Sequence, residues 1–372
     1  MPSQVNLDQA STSAPKPDLV WEAIRDHVQR GGGSPGRGGH SAMRRVDAEV
    51  EDARAVLARV IGTSDPARIS FTANATHALN TCLKGFLRPG DDVVITTAQH
   101  NSVLRPLDKL RKAGVIGYRA VADLTGLRDE LRPNTRLVVV NHACNVTGAV
   151  APLGEITEMA HRHGAAVLVD CAQSAGVLDL EADRDNVDML AFTGHKALLG
   201  PSGIGGLFLR RPDEVDTLVE GGTGSMSHSL NHPKAMPAKF EAGTANYLGI
   251  VALGATAALA HKQQQENRTR ALALVDDAVE RLSSIPGLRI HHAHTAERVP
   301  LFSFTLDDWY PGEIAAELDE RHGILTRPGL QCAPLVHKAL GTFPHGTVRV
   351  SLGHATTADD IDALVAGVKE LC

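Results

Sequence analysis

The feature that most constrains this chain is a series of short, unbroken apolar runs separated by amphipathic stretches. Arg68 to Thr72, Asp92 to Thr96, Arg136 to Asn141, Ala166 to Asp170, Met189 to Thr193 and Gly205 to Leu209 are apolar through their centres without polar alternation. That pattern predicts strands covered on both faces rather than strands with one wet face. Between them, Thr76 to Phe86, Val103 to Lys112 and Leu153 to His163 carry helical periodicity, as does Ser41 to Ile61, where Val46, Val50, Ala53, Val56, Leu57 and Val60 recur every three or four residues. The alternation predicts an α/β fold with a mainly parallel sheet and right-handed crossovers. Ligands of such sheets gather at the carboxyl ends of the strands, so the polar residues that close the runs are the first candidates for function.

A long helical stretch from about Gly249 to Ser284 leads into a shorter α+β region with strands near Leu301 to Leu306 and Thr347 to Leu352. We place a junction near residue 245, giving a large domain over 15–245 and a smaller one from 1–14 and 246–372. Gly31 to Gly39 is a glycine-rich loop. Lys and Arg number 37 against 43 Asp and Glu, a net charge of -6, and aromatics are 3%, which argues against a basic surface that stacks nucleic-acid bases. Met1 to Thr12 lacks the basic and apolar regions of a signal peptide. Gly249 to Ala260, the longest apolar stretch, falls short of the roughly 20 residues that span a bilayer, so a cytoplasmic protein with no membrane contact is expected. Five cysteines, Cys82, Cys144, Cys171, Cys332 and Cys372, form no CxxC pair, which supports neither a disulfide framework nor a zinc ribbon. His291, His292 and His294 lie in a polar segment without a carboxylate at ligand spacing and read as solvated; no metal is expected.

The most informative segment is Val167 to Gly206, where one run closes on Asp170 and another on Thr193-Gly194-His195-Lys196. The spacing accommodates a strand, a crossover and the next strand, so both polar groups emerge at one sheet edge. A carboxylate and a lysine there suit pyridoxal phosphate (PLP): Asp170 would pair with the pyridinium nitrogen and keep the ring an electron sink, while Lys196 forms the Schiff base. By itself, an Asp with a downstream Lys in a Gly-rich region reads first as a structural ion pair or as solvated charges.

The surroundings add to this. Asp170-x-x-Gln173-Ser174 and Thr193-Gly194-His195-Lys196 resemble the cofactor motifs of the class V aminotransferase family of fold-type I PLP enzymes, particularly its cysteine desulfurase and selenocysteine lyase group. The resemblance runs nearly end to end: Leu7 to Thr12, Ser34 to His40, Phe71 to Thr76, His142 to Asn145, Gly221 to Ser225, Phe240 to Thr244, and the segments around Cys332 and Arg349. It implies a large domain built on a mainly parallel seven-stranded sheet, a smaller α+β C-terminal domain, and a homodimer with shared active sites. The phosphate would be held by Ala75 and Thr76 at a helix N-terminus, a placement that the helix dipole favours, and by Thr193, His195 and a Thr244 from the neighbouring subunit. His100 would stack on the ring and move protons. Asn145 and Gln173 would bond the phenolic oxygen, and Arg349, helped by Asn145, would clamp the substrate carboxylate with its planar fork. From periodicity alone, Arg349 reads as an edge-strand residue facing water.

Cys332 lies in Arg327-Pro328-Gly329-Leu330-Gln331-Cys332-Ala333-Pro334, a Gly- and Pro-flanked segment that predicts a mobile, exposed loop. It resembles the desulfurase loop whose cysteine attacks the substrate sulfur. The implied reaction is conversion of L-cysteine to L-alanine with a persulfide on Cys332, passed on to a sulfur-acceptor protein or small thiol. A C–S β-lyase or selenocysteine lyase without that persulfide is the rival. Three departures bear on substrate rather than cofactor: Gln331 stands where relatives often have histidine, His77 where they often have glutamate, and His354-Ala355-Thr356 replaces an aromatic-Asn-Thr.

Overall fold

The computed structural model describes residues 4–31, 39–225, 228–291, 295 and 297–371. In chain order the first half runs β1 (Val5–Asn6), α1 (Leu19–Gln29), α2 (Ser41–Ile61), β2 (Ile69–Thr72), α3 (Ala75–Phe86), β3 (Asp92–Thr96), α4 (Asn101–Lys112), β4 (Gly117–Val121), α5 (Leu124–Glu130), β5 (Thr135–Asn141), α6 (Leu153–Arg162), β6 (Ala166–Asp170), β7 (Met189–Thr193) and β8 (Gly205–Leu209). The second half runs α7 (Tyr247–Ser283), β9 (Leu288–His291), β10 (Leu301–Leu306), α8 (Pro311–His322), β11 (Ile324–Leu325), β12 (Arg327–Gly329), α9 (Pro334–Leu340), β13 (Thr347–Ser351) and α10 (Ala358–Lys369).

All six apolar runs are strands of one seven-stranded sheet, ordered β2-β8-β7-β6-β5-β3-β4. Neighbours from β4 to β7 are parallel, and β8 is antiparallel to both β7 and β2. The chain alternates faces at each residue. Val94, Val138, Val140, Val167, Val169 and Phe192 face one core with residues of α2, α6 and α7. Val93, Ile95, Leu137, Val139, Leu168 and Ala191 face the other with α3 and α4. At about 1.5–3 kcal/mol per fully buried aliphatic side chain, these two layers fix the register of every strand end. β4 is the exception, an edge strand that exposes Gly117 and Ala120. The crossover from β6 to β7 contains no helix; residues 171–188 pass through successive turns.

The second sheet, β12-β13-β10-β9, is antiparallel. Phe302, Phe304, Val348 and Val350 pack under Val275 of α7 and Leu364 of α10. The chain's first residues join this unit: β1 pairs with β11, the Ser351 N–H donates to the Leu7 carbonyl at 2.7 Å, and Leu7 is buried in that core. α7 packs on α1 and α2 and also on β9, β10 and α10, so one helix spans both units. Among the described residues no helix is long and apolar enough to cross a membrane, and no His, Cys, Asp and Glu group could hold a metal ion. His291 closes β9, half-buried and bonded to Thr305 at 3.2 Å, which corrects its reading as solvated. His292, His294, Cys372 and Gly32 to Gly38 of the glycine-rich loop lie outside the described residues.

Candidate active site

The ends of five strands open into one cavity. After β2 it is lined by Asn74, Ala75 and Thr76; after β3 by His100 and Ser102; at and after β5 by Asn141 and Asn145; at and after β6 by Asp170, Ala172 and Gln173; and at and after β7 by Thr193, His195 and Lys196. Nine of the residues expected from the sequence, Ala75, Thr76, His100, Asn145, Asp170, Gln173, Thr193, His195 and Lys196, are therefore neighbours here. Thr244 is not among them. It is exposed just ahead of α7, on a loop held by Glu241, which pairs with buried Arg54 at 2.9 Å and accepts the Phe71 N–H at 2.7 Å.

At the α3 end the Asn74 side chain accepts the His77 N–H and its carbonyl accepts that of Ala78. The N–H groups of Ala75 and Thr76 are left for an anion. A close approach brings β8 beneath this turn: a Cβ on Gly205 would lie 2.5 Å from the Phe192 carbonyl oxygen and 3.0 Å from the Asn74 Cα. The Thr76 hydroxyl meets Ser102 Oγ at 2.7 Å. The Ser102 N–H donates to His100 Nδ1 at 3.1 Å, which leaves the proton of a neutral His100 on Nε2. Burial, followed by the charges of Lys196, Arg327, Arg105 and Arg349, lowers the His100 pKa to about 4. Thr193 Oγ1, His195 Nδ1 and Asn145 Oδ1 are buried with no partner.

Asp170 is 3% exposed and accepts the Ala172 N–H at 2.9 Å; burial pushes its carboxyl above the usual range, against the pull of Lys196. Lys196 is lowered to about 8 by burial, with Asp170 opposing. The preceding residue is clamped from the far side: the His195 carbonyl accepts the Ser13 N–H at 3.0 Å and Lys16 Nζ at 2.7 Å. Gln173 Nε2 donates to the Ala10 carbonyl at 3.1 Å. His77 gives its backbone to Asn74 and is not a cavity residue.

The donor set fits PLP. It offers free N–H groups and two unpartnered polar atoms for a phosphate, a buried carboxylate whose charge awaits a cationic partner, amides for the ring oxygen, and a lysine of depressed pKa for the aldehyde. Sequence reasoning missed Ser102, although His100-Asn101-Ser102 directly after a strand carries a capping signal.

Cys332 departs from the expected exposed loop. It is half-buried in a tight turn between β12 and α9, and its carbonyl accepts the Asn101 N–H at 2.7 Å. Gln331 and Cys332 both take left-handed backbones, φ 41° and 60°, which costs a non-glycine residue about 1–2 kcal/mol. The Gln331 side chain holds this turn. Its Nε2 donates to the carbonyls of Arg327 (3.0 Å) and Thr347 (2.9 Å), so its Oε1 accepts from His337 Nε2 at 2.9 Å. Burial lowers the His337 pKa to about 4, which keeps the ring neutral. Asn145 Nδ2 donates to the Gln331 carbonyl at 2.8 Å, tying the turn to the cavity wall.

Arg349 lies on an inner strand at 2% exposure, not on a wet edge. Its Nη1 donates to the Asn145 carbonyl at 3.1 Å, and its Nη2 donates to Asp8 at 2.7 Å and to Ser11 at 3.0 Å. Burial lowers its pKa, opposed by Asp8. The guanidinium borders the Cys332 turn through Asn145, and part of its fork is taken by Asp8, a partner the sequence did not reveal.

A mainly parallel sheet carrying a lysine and a carboxylate on adjacent strand ends defines a fold-type I PLP architecture. The sequence model of the family described as aminotransferase class-V matches residues 5–364, and the chain belongs to this family, whose members are PLP enzymes. A probable cysteine desulfurase of Methanothermobacter thermautotrophicus is 32% identical over 380 residues, covering 99% of this chain and 94% of the relative. One of Aeropyrum pernix is 33% identical over 399 residues, covering 99% and 94%. The apo structure of a cysteine desulfurase from Thermococcus onnurineus superposes with a TM-score of 0.93 at 28% identity, covering 99% of this chain and 94% of that one.

Proposed function

We propose that the protein is a PLP-dependent cysteine desulfurase that converts L-cysteine to L-alanine, holds the sulfur as a Cys332 persulfide, and passes it to a sulfur-acceptor protein or small thiol. The observation that carries this reading is the joining of two parts: the Lys196 and Asp170 cavity, and a cysteine turn bonded to that cavity's lining through Asn145 and to Asn101, which lies between the lining residues His100 and Ser102. The family and the named relatives support the same activity.

Ala75, Thr76, Thr193 and His195 would hold the cofactor phosphate, Asp170 the ring nitrogen, Gln173 and Asn145 the ring oxygen, and Lys196 the aldehyde. Bound there, PLP supplies an electron sink that acidifies the α-proton of an amino acid. Lys196 Nζ, with its pKa near 8, takes that proton. Neutral His100, carrying its proton on Nε2, can donate one beside it. Arg349 and Asn145 would orient the substrate carboxylate. The Cys332 thiolate attacks the substrate sulfur; the S–S bond forms as the Cβ–S bond breaks, and the electron pair left on carbon takes a proton to complete alanine. Exposed Thr244, outside its own chain's cavity, supports a homodimer in which it reaches the partner's phosphate site. A cytoplasmic setting belongs to the same reading, since thiol chemistry of this kind needs reduced cysteines.

The test is alanine and sulfide production from L-cysteine, with and without dithiothreitol, in the parent and in Cys332→Ala. Alanine formation collapses in the variant while the cofactor absorbance survives. Full turnover in the variant, or pyruvate in place of alanine, would hand the site to the C–S β-lyase or selenocysteine lyase reading.

A further inference from the structure

The Cys332 turn docks on the start of α4, and the groove beyond it differs in charge from the rest of the molecule. The chain carries a net charge of -6, yet α4 presents Arg105, Lys109, Arg111 and Lys112 against Asp108 alone. Asp108 is taken by Arg111 and Lys112, both at 2.7 Å. Arg105 and Lys109, one turn apart and exposed, form no ion pair among the described residues. They edge a groove floored by Leu104, Tyr118, Pro334 and Leu335. Its head is set by the Asn101 N–H on the Cys332 carbonyl, and Lys109 lies eight residues further along the helix, about 12 Å away at the α-helical rise.

We propose that this groove is the docking surface for an acidic sulfur-acceptor protein, whose thiol-bearing segment lies over Cys332 with carboxylates against Arg105 and Lys109. The proposal rests on the desulfurase reading and names the acceptor's chemistry. An apolar floor with a charged rim is the anatomy of a protein interface. A strand of RNA would ask for successive stacking faces, and Tyr118 is the one aromatic residue lining the groove. In the transfer the acceptor thiolate attacks the outer sulfur of the Cys332 persulfide; the new S–S bond forms on the acceptor, and the electron pair of the broken bond returns to Cys332 as thiolate.

The test uses the PLP-loaded enzyme with two short synthetic peptides, each with one cysteine, flanked by glutamates in one and by lysines in the other. Alanine release and peptide persulfide are followed. At low salt the acidic peptide supports turnover about tenfold faster than the basic one, through faster electrostatic encounter. That advantage shrinks at about 0.5 M salt. Lys109→Glu reduces it while turnover with dithiothreitol stays within about twofold of the parent, as expected for a rim charge that acts on association. Arg105→Glu/Lys109→Glu removes it, read as the ratio of the two peptides on the same variant, which a change in basal rate does not move. Equal use of the two peptides overturns the proposal, as does a preference that survives the double reversal, or an RNA oligonucleotide that binds through Arg105 and Lys109 and displaces the acidic peptide. Failure of the underlying reading looks different: the parent then makes no alanine even with dithiothreitol, and the proposal falls with it.

Discussion

The cofactor cavity and the cysteine turn lie side by side and are held by opposite means. The cavity takes its groups from five strand ends, each fixed by apolar packing on both faces of the large sheet. The cysteine turn is one short segment whose left-handed backbone is held by polar contacts: the Gln331 side chain between two carbonyls and His337, the Asn145 amide on the Gln331 carbonyl, and the Asn101 N–H on the Cys332 carbonyl. Topology therefore places the cofactor groups, and a perturbation in the cavity changes its chemistry more than its geometry. A perturbation of the polar clamp changes where the Cys332 thiol sits.

The largest separation of the two comes from Asp170→Asn. The amide keeps the shape and can still accept the Ala172 N–H, but it cannot offset a pyridinium charge. Turnover should fall about a hundredfold or more, the scale of losing one preorganised electrostatic partner, while Lys196 still attaches the cofactor and the absorbance band persists. Turnover within a few-fold of the parent would remove the electrostatic role of Asp170. Next in size is the pH dependence of cofactor loading in the apoprotein. Only a neutral Lys196 adds to an aldehyde, and its pKa is lowered from 10.5 to about 8. The loading rate should rise about fiftyfold from pH 6 to pH 8, following the neutral fraction, and then level. A rate still climbing at pH 10 would mean an ordinary lysine.

The clamp is tested by Gln331→Ala. Two carbonyls and an imidazole N–H lose their partner, each at about 1–3 kcal/mol if left buried. The turn should relax, and kcat for alanine should fall about tenfold, near the effect of about 1.4 kcal/mol. KM and the cofactor spectrum should stay as in the parent, because Gln331 is not a cavity residue. A changed rate of Cys332 alkylation by iodoacetamide would report the displaced thiol. Parallel loss of the cofactor band would show instead that turn and cavity are one unit.

The same contrast explains what the sequence revealed. Doubly buried strands write continuous apolar runs, so β2, β3, β5, β6, β7 and β8 were legible almost to the residue, and with them the strand-end groups Asp170, Thr193 and Lys196. Edge strand β4, half-exposed over Gly117–Val121, writes no such run, and two- and three-residue strands such as β1, β11 and β12 are too short for any period. Cys332 looked exposed because Gly and Pro surround it. What buries it, the docking of α4 on the Cys332 carbonyl and of Asn145 on the Gln331 carbonyl, depends on residues about 190 to 230 positions away, which local composition does not encode. Arg349 reads as a wet edge residue for the same reason, since its strand becomes interior only when β12 pairs on one side and β10 on the other.

The smallest effect concerns the contact that bridges the two regions, Asp8 on Arg349. Arg349 is nearly fully buried, and its charge is balanced by Asp8 at 2.7 Å, with Ser11 and the Asn145 carbonyl as further acceptors of its Nη groups and its Nε left without a partner. Asp8→Asn leaves a partner of the same shape without the charge. If Asp8 aims the guanidinium, the variant loses aim: KM for L-cysteine rises about three- to tenfold with kcat unchanged, the pattern of lost uniform binding, and thermal stability drops by about 1–3 kcal/mol as a buried charge loses compensation. If Asp8 instead occupies the place of the substrate carboxylate, KM falls while stability still drops. The sign of the KM change thus separates a carboxylate that orients the arginine from one that competes for it, and the Cys332→Ala background, in which the proposed transfer step is removed, allows the same comparison by substrate binding alone.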